Sequence, residues 1–245
     1  MPIDNDLAER HILAIDASIA ELFDLESRTA EPAPLPHQFI GTVVDNTLTL
    51  LTAPANSLDN AGRVVSISDT VNWLSVMQAV HRSFYSSILL AVERGLKSIC
   101  DQHNVEIDCK RKLTFENLLN IVETETTHSP ETTKALKELR NLTKSNRPEF
   151  SDYLNTALNT TALNKKTKTE WRNFFAGLSI VRNKVSHSDP TLSEIEQSNL
   201  RKWGFSPLVS DDGILKINPR HYTQTVNSIL DFFDILQKNT LPAQN

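Results

Sequence analysis

The 245-residue chain has only six glycines and two cysteines, Cys100 and Cys109. So few glycines exclude collagen-like and Gly-rich repeat architectures. Neither GxGxxG nor GxxxxGKS/T occurs, so no glycine-built phosphate loop is expected. Two cysteines are too few for a secreted disulfide scaffold. The absence of CxxC and HExxH leaves no standard zinc signature, and neither a metal nor a cofactor is expected. No stretch approaches the roughly 18 uninterrupted apolar residues of a membrane span. The acidic start, Met1 to Asp6, lacks the basic and apolar regions of a signal peptide. These absences lead to the expectation of a soluble, cytoplasmic protein with no membrane contact.

What is present is a chain long enough to bury a real core, as one large domain or a domain with an appendage. Its net charge is −5. Taken alone, that argues against nucleic acid as a partner, but the charge is unevenly spread. From Lys134 to Lys184 there are eleven Lys/Arg against four Asp/Glu, a local +7, which leaves −12 elsewhere. A basic field of this kind draws a polyanion to one face, or it is simply a solvated helical face.

Apolar spacing predicts an all-α fold built around one long helix. A first helix is expected over Asp6–Arg28, ended by the proline-rich connector Glu31 to Pro36. Residues 37–52 fit both a helix and a strand pair turning at Asp45-Asn46, with helix preferred. From about Ser68 to His103 the residues Trp73, Met77, Val80, Phe84, Ile88, Ala91, Gly95 and Ile99 step by three or four without a break. That spacing predicts a bundle spine roughly 50 Å long, capped by Ser68 or Asp69. Shorter helices are expected at Thr114–Glu123, Pro130–Leu142 and within Glu149–Leu163, followed by a strong one from Lys165 to about His187. Ser188-Asp189-Pro190 is expected to end it, with Asp189 capping a short acidic helix that starts at Pro190. Residues 208–217 read as a small β-hairpin turning at Asp212-Gly213, and Asn218-Pro219 opens the last helix. The division expected is a helical extension over 1–62 and an antiparallel bundle over 63–245.

One string carries chemistry: Arg182-Asn183-Lys184-Val185-Ser186-His187. Arg and His of this composition predict about 0.3 chance pairs at that spacing, and about 0.03 with Asn beside the Arg. Asn183 and His187 are four apart and share a helix face, whereas Arg182 is rotated by about 140° from His187. The negative end of the helix dipole favours protonated His187, and Arg182 and Lys184 oppose it, a balance suited to a general acid/base. Arg182 offers a planar fork for phosphate. The plainer alternative is a histidine bonding helix-end carbonyls and an arginine in a surface ion pair.

The string, at the end of an aromatic-rich helix that follows a long one, resembles the signature of the HEPN family (higher eukaryotes and prokaryotes nucleotide-binding domain). The resemblance covers roughly Ser68–Lys238. It implies a helical bundle and a homodimer with a composite active site, two copies of the motif facing across a two-fold axis. It also implies a metal-independent endoribonuclease of the kind found in toxin and antiphage defence systems, acting alone or with an antitoxin or another defence partner protein. Arg182, Asn183 and His187 are implied as active-site residues. Attack by a ribose 2′-OH would leave a 2′,3′-cyclic phosphate, so RNA and not DNA is the expected substrate. Some toxin members carry a Tyr two residues after the His as the target of a modifying antitoxin. Here that position is Asp189, so that neutralisation is not expected. The family often adds a polar residue on the preceding long helix, for which Glu93 and His81 are candidates. The alternative functions are a non-catalytic HEPN module that binds nucleotide or RNA or scaffolds a partner, and a helical antitoxin or immunity adaptor.

Lys165, Lys166 and Lys168 lie at the start of the motif helix, where the dipole disfavours them, and Lys184 sits within the motif. All four are candidate RNA-backbone contacts, and the first three read equally well as an exposed helix start. Trp73, Trp171 and Trp203 are expected in core or interface positions ahead of base stacking.

Overall fold

The threonine-containing segment that fits both helix and strand folds as one helix, α1 (Leu35–Ala55), in the computed structural model. The structure describes residues 17–55, 67–107, 134, 136 and 148–240, with backbone alone over 52–55 and 67–76. Helix wins in α1 because it buries one continuous apolar face, and its threonine hydroxyls still find acceptors inside it. Thr42, Thr47 and Thr49 each donate to the carbonyl four residues earlier, at 2.7–3.2 Å. Ile40, Val43, Val44, Leu48 and Leu51 are then buried along one face.

The spine is α2 (Ile67–Gln102), whose 36 residues extend about 54 Å. It begins at Ile67, so Ser68 and Asp69, expected to cap it, lie inside its first turn instead. Its burial is wider than the single stripe read from spacing. Beside Val80, Phe84, Ile88, Ala91 and Ile99 runs a second row, Tyr85, Leu89, Val92, Leu96 and Cys100, also buried. Two rows are needed because α2 is covered on more than one side. It packs on α1, on α3 (Phe150–Asn159) and on α4 (Lys165–His187).

Asn164 caps α4, its Oδ1 accepting from Thr167 N at 2.9 Å, and Ser188 ends it in the left-handed region at φ 55°. Phe175, Leu178 and Val181 form its buried face. The short helix α5 (Glu194–Lys202) starts later than expected. Its cap is Ser193 with Glu196 in a capping box, not Asp189. Pro190 cannot begin it because residues 190–192 are drawn into pairing with residues 213–215. Leu192 N donates to Gly213 O at 2.9 Å and Leu215 N to Pro190 O at 2.8 Å. Those bonds also bear on the expected hairpin. Val209 with Leu215 and Thr191 with Ile214 form isolated bridges, and no strand occurs among the described residues.

The last helix, α6 (Arg220–Asn239), is opened by Asn218, whose Oδ1 accepts from Arg220 N at 3.0 Å. Tyr222, Val226, Ile229, Leu230, Phe232, Phe233 and Leu236 are fully buried. Phe84 meets Tyr222 (4.3 Å between centroids) and Gly95 meets Phe233, so α2 and α6 run parallel. Arg82 meets Ser188 while Trp171 meets Phe232 at 4.9 Å, so α4 runs antiparallel to both. Trp171 therefore packs in the bundle, as Trp203 does in part.

Residues ahead of α1 join the same core. Leu22 and Leu25 are buried within it. Arg28 bonds Asn227, Asp231 and Asp234 of α6 at 2.9–3.1 Å, and His37 Nε2 pairs with Asp234 Oδ1 at 3.0 Å. The helix expected over 6–28 appears as helical residues 17–23, a turn at 24–25 and a four-residue helix at Glu26–Thr29, its start lying outside the described residues. The expected helix at 114–123 and Cys109 also lie outside them, as does 130–142 apart from Lys134 and Leu136. Three quarters of the interpretable structure is helix (75%), which makes the fold all-α.

Candidate functional site

The last two turns of α4 divide by helical geometry into an inner and an outer side. Val181 is fully buried, and Lys184 and Val185 are half-buried. Arg182, Asn183, Ser186 and His187 are exposed. At 100° per residue the four exposed side chains fall within one arc of about 140°. Among the described residues, Arg182, Asn183 and His187 make no side-chain hydrogen bond or ion pair. Their donors are not spent on the fold.

The helix end that carries them is fastened from two directions. Arg82 of α2 donates from Nε to Val185 O at 3.3 Å and from its terminal nitrogen to Ser188 Oγ. The first bond supplies a carbonyl at the helix C-terminus with a cationic donor, and the second ties down the hydroxyl of the residue that ends the helix. On the other side, Lys184 Nζ donates to Thr191 O at 2.7 Å and pairs with Glu196 Oε2 at 3.1 Å. Burial works against the Glu196 charge, but bonds from Ser193 and Lys184 carry its carboxyl below the usual range. Asp189 is likewise lowered, chiefly by the Thr191 backbone N–H at 3.1 Å.

The other candidates are scattered. Lys184 is committed to holding the turn rather than presented outward. Lys165 and Lys166 are exposed, and Lys166 makes only a loose pair with Glu170 at 3.9 Å. Lys168 Nζ is bonded to Thr161 O at 2.9 Å. Lys165 lies 17 residues from Arg182, about 26 Å along α4, so cluster and motif occupy opposite ends of one helix. Glu93 is half-buried and eleven residues beyond Arg82, about 16 Å along α2 from the contact with the motif turn. His81 is the candidate brought beside that turn.

His81 lines a cavity of about 650 Å³ between α2, the inner side of the α4 terminus and the 207–218 segment. Its Nδ1 is hydrogen-bonded to the hydroxyl of Tyr222. Burial pushes that phenol far above its ordinary range, so it stays protonated and able to donate. Gln78 and Arg82 share the cavity wall, as does Lys216. Sequence reading singled out none of those three. Positions 78, 81 and 82 do lie at helical spacing on α2, but the helix carries polar residues along its whole length, so spacing alone does not mark this row. Cys100 is excluded as a nucleophile: burial pushes its thiol up to about 11.

Among the described residues no cluster of His, Cys, Asp or Glu is suited to a metal ion, and no helix is long and apolar enough to cross a membrane. No family model, no curated protein and no solved structure matches the chain. The fold and site thus define an all-α bundle with an exposed Arg-Asn-His face at a fastened helix end.

Proposed function

We propose that the chain is a metal-independent endoribonuclease of the HEPN type, working as a homodimer in a toxin or antiphage defence system. One observation supports this above the others: Arg182, Asn183 and His187 are exposed together on a helix end held from both sides, with their donors uncommitted. In this reading His187 accepts the proton of a ribose 2′-OH. The 2′ oxygen bonds phosphorus, the bond to the 5′ oxygen breaks, and a second copy of the motif returns a proton to that oxygen. Arg182 steadies the charge on the non-bridging oxygens, and Asn183 positions the scissile phosphate. One motif offers a single imidazole, while the reaction wants a base and an acid, so duplication across a two-fold completes the site.

The test is purified wild-type protein beside His187→Ala and Arg182→Ala, assayed on single-stranded RNA with EDTA present. Removing the acid/base group should lower cleavage by about 10²–10⁴-fold with the fold intact. Cleavage that depends on Mg²⁺, or full activity in His187→Ala, overturns the proposal. A second reading, a non-catalytic module that binds nucleotide or RNA or scaffolds a partner protein, is favoured by the separation of Lys165, Lys166 and Lys168 from the motif. It expects no cleavage and a stable complex with another protein.

A further inference from the structure

The cavity beside His81 opens on the inner side of the α4 terminus, and Arg182, Asn183 and His187 are not in its lining. We infer that it binds a phosphate monoester with an apolar organic part, a ligand of mononucleotide size. The inference does not rest on the ribonuclease reading.

Charge comes first. Among the described residues the lining holds Arg82, Lys184 and Lys216 and no carboxylate. The Lys184 charge is met by Glu196, which leaves Arg82 and Lys216 without an ion pair among the described residues. Arg82 uses Nε and one terminal nitrogen on Val185 and Ser188, so its remaining terminal nitrogen is uncommitted. A guanidinium is suited to phosphate oxygens.

Donor balance points the same way. Asn218 Oδ1 is taken by Arg220 N, leaving the amide nitrogen as its uncommitted end. Ser188 Oγ already accepts from Arg82 and retains its own proton to donate. A site with these cationic and neutral donors and no charged acceptor among its described residues selects a ligand rich in acceptors, as phosphate is. Size and lining then add the organic part. About 650 Å³ is in the range of small-molecule sites and far exceeds what a bare phosphate fills. Val185, Pro190, Pro207, Leu215 and Ile217 supply apolar wall for the remainder.

Such a monoester could arrive free or as the 5′ end of a strand, and the probes separate these sources. Binding to the full chain is measured by calorimetry with AMP, adenosine, inorganic phosphate, and a tetradeoxynucleotide with or without a 5′-phosphate. The variants are Lys216→Glu and Gln78→Glu, both at exposed positions, with thermal unfolding as the control for fold. The expected result is that AMP or the 5′-phosphorylated oligomer binds at least about tenfold more tightly than its unphosphorylated counterpart. Each variant should weaken that binding by about tenfold or more while the unfolding midpoint holds. Tighter AMP assigns a free metabolite, and a tighter oligomer assigns a strand end. No binding of either phosphorylated probe, equal binding of adenosine and AMP with no preference for the phosphorylated oligomer, or unchanged affinity in both variants overturns the inference.

Discussion

Replacing Gly95 by alanine sets two physical effects against each other, and the structure says which wins. Gly95 lies inside α2, where alanine is favoured over glycine by about 1 kcal/mol on propensity alone. A Cβ built there, however, would stand 2.5 Å from Phe233 Cζ and 3.2 Å from Pro36 Cβ. Ordinary carbon contacts lie near 3.5–4.0 Å, so the ring must retreat by about 1 Å. Phe233 is fully buried beside Phe232 and His37, at centroid distances of 5.5 and 6.2 Å. Overpacking of this kind costs about 1–3 kcal/mol. We therefore expect Gly95→Ala to destabilise the chain by up to about 2 kcal/mol after the propensity gain. In a Phe233→Leu background, which removes the clashing ring edge, the same change should become neutral or stabilising. Urea unfolding followed by circular dichroism gives the four stabilities, and the double-mutant cycle should show a coupling of about 1–3 kcal/mol. A Gly95→Ala chain more stable than wild type, or one with the same effect in both backgrounds, would refute the reasoning.

Burial pushes both His37 and His221 below the ordinary histidine range, with Asp234 pulling His37 the other way. The unfolded chain then takes up protons first, so this contribution to stability is whole above about pH 6.5 and is lost as pH falls below it. His221→Gln keeps an acceptor for the Asn218 N–H (3.1 Å in wild type) and should flatten the pH dependence of the urea midpoint between pH 7 and 5. Ser193→Ala removes the α5 cap and should cost about 1 kcal/mol in thermal unfolding. On the ribonuclease reading, Lys165→Ala with Lys166→Ala should reduce the log–log salt slope of RNA binding by about one unit in a His187→Ala chain, and an unchanged slope would assign both lysines to a solvated face. Lys184→Gln should lower kcat without altering that slope, because its ammonium is spent on Thr191 and Glu196; a lower slope with unchanged kcat would return it to the RNA surface.

Elements with strong local signals were legible. The bounds of α4 follow from the Asn164 cap at one end and from Ser188-Asp189-Pro190 at the other. The long spine was legible from its stripe, but its second buried row was not. Tyr85, Leu89, Val92, Leu96 and Cys100 are buried by neighbours distant in sequence, which spacing alone does not identify. In α1 the β-branched residues supported two periods at once, and packing of Ile40, Val43, Val44, Leu48 and Leu51 in the shared core with α2 decided between them. Asp189-Pro190 and Ser193-x-x-Glu196 both carry a helix-start signal. Pairing of 190–192 with 213–215 silenced the first, a long-range effect with no local trace. The motif string was visible because it is contiguous. The cavity was not, since its walls come from positions 78–82, 184–190 and 207–218.

That difference in legibility follows from the geometry of one helix turn. Residues 182, 183, 186 and 187 point outward, whereas 184, 185 and 188 point to the fastened side and the cavity. A contiguous string therefore carries two surfaces. Arg82 and Lys184 grip the inner side, and through it they fix the orientation from which His187 projects. A ligand that engages Arg82 from the cavity competes with or reinforces the bonds to Val185 and Ser188, and those bonds hold the turn bearing the motif. The two surfaces thus share one mechanical part while their ligand-facing residues remain distinct. A substitution at Lys216 perturbs only the cavity and one at His187 only the outer face, but Arg82 belongs to both. On the ribonuclease and phosphate-site readings, variants at Lys216 and His187 should accordingly combine additively in binding and activity, whereas either combined with Arg82→Ala should not.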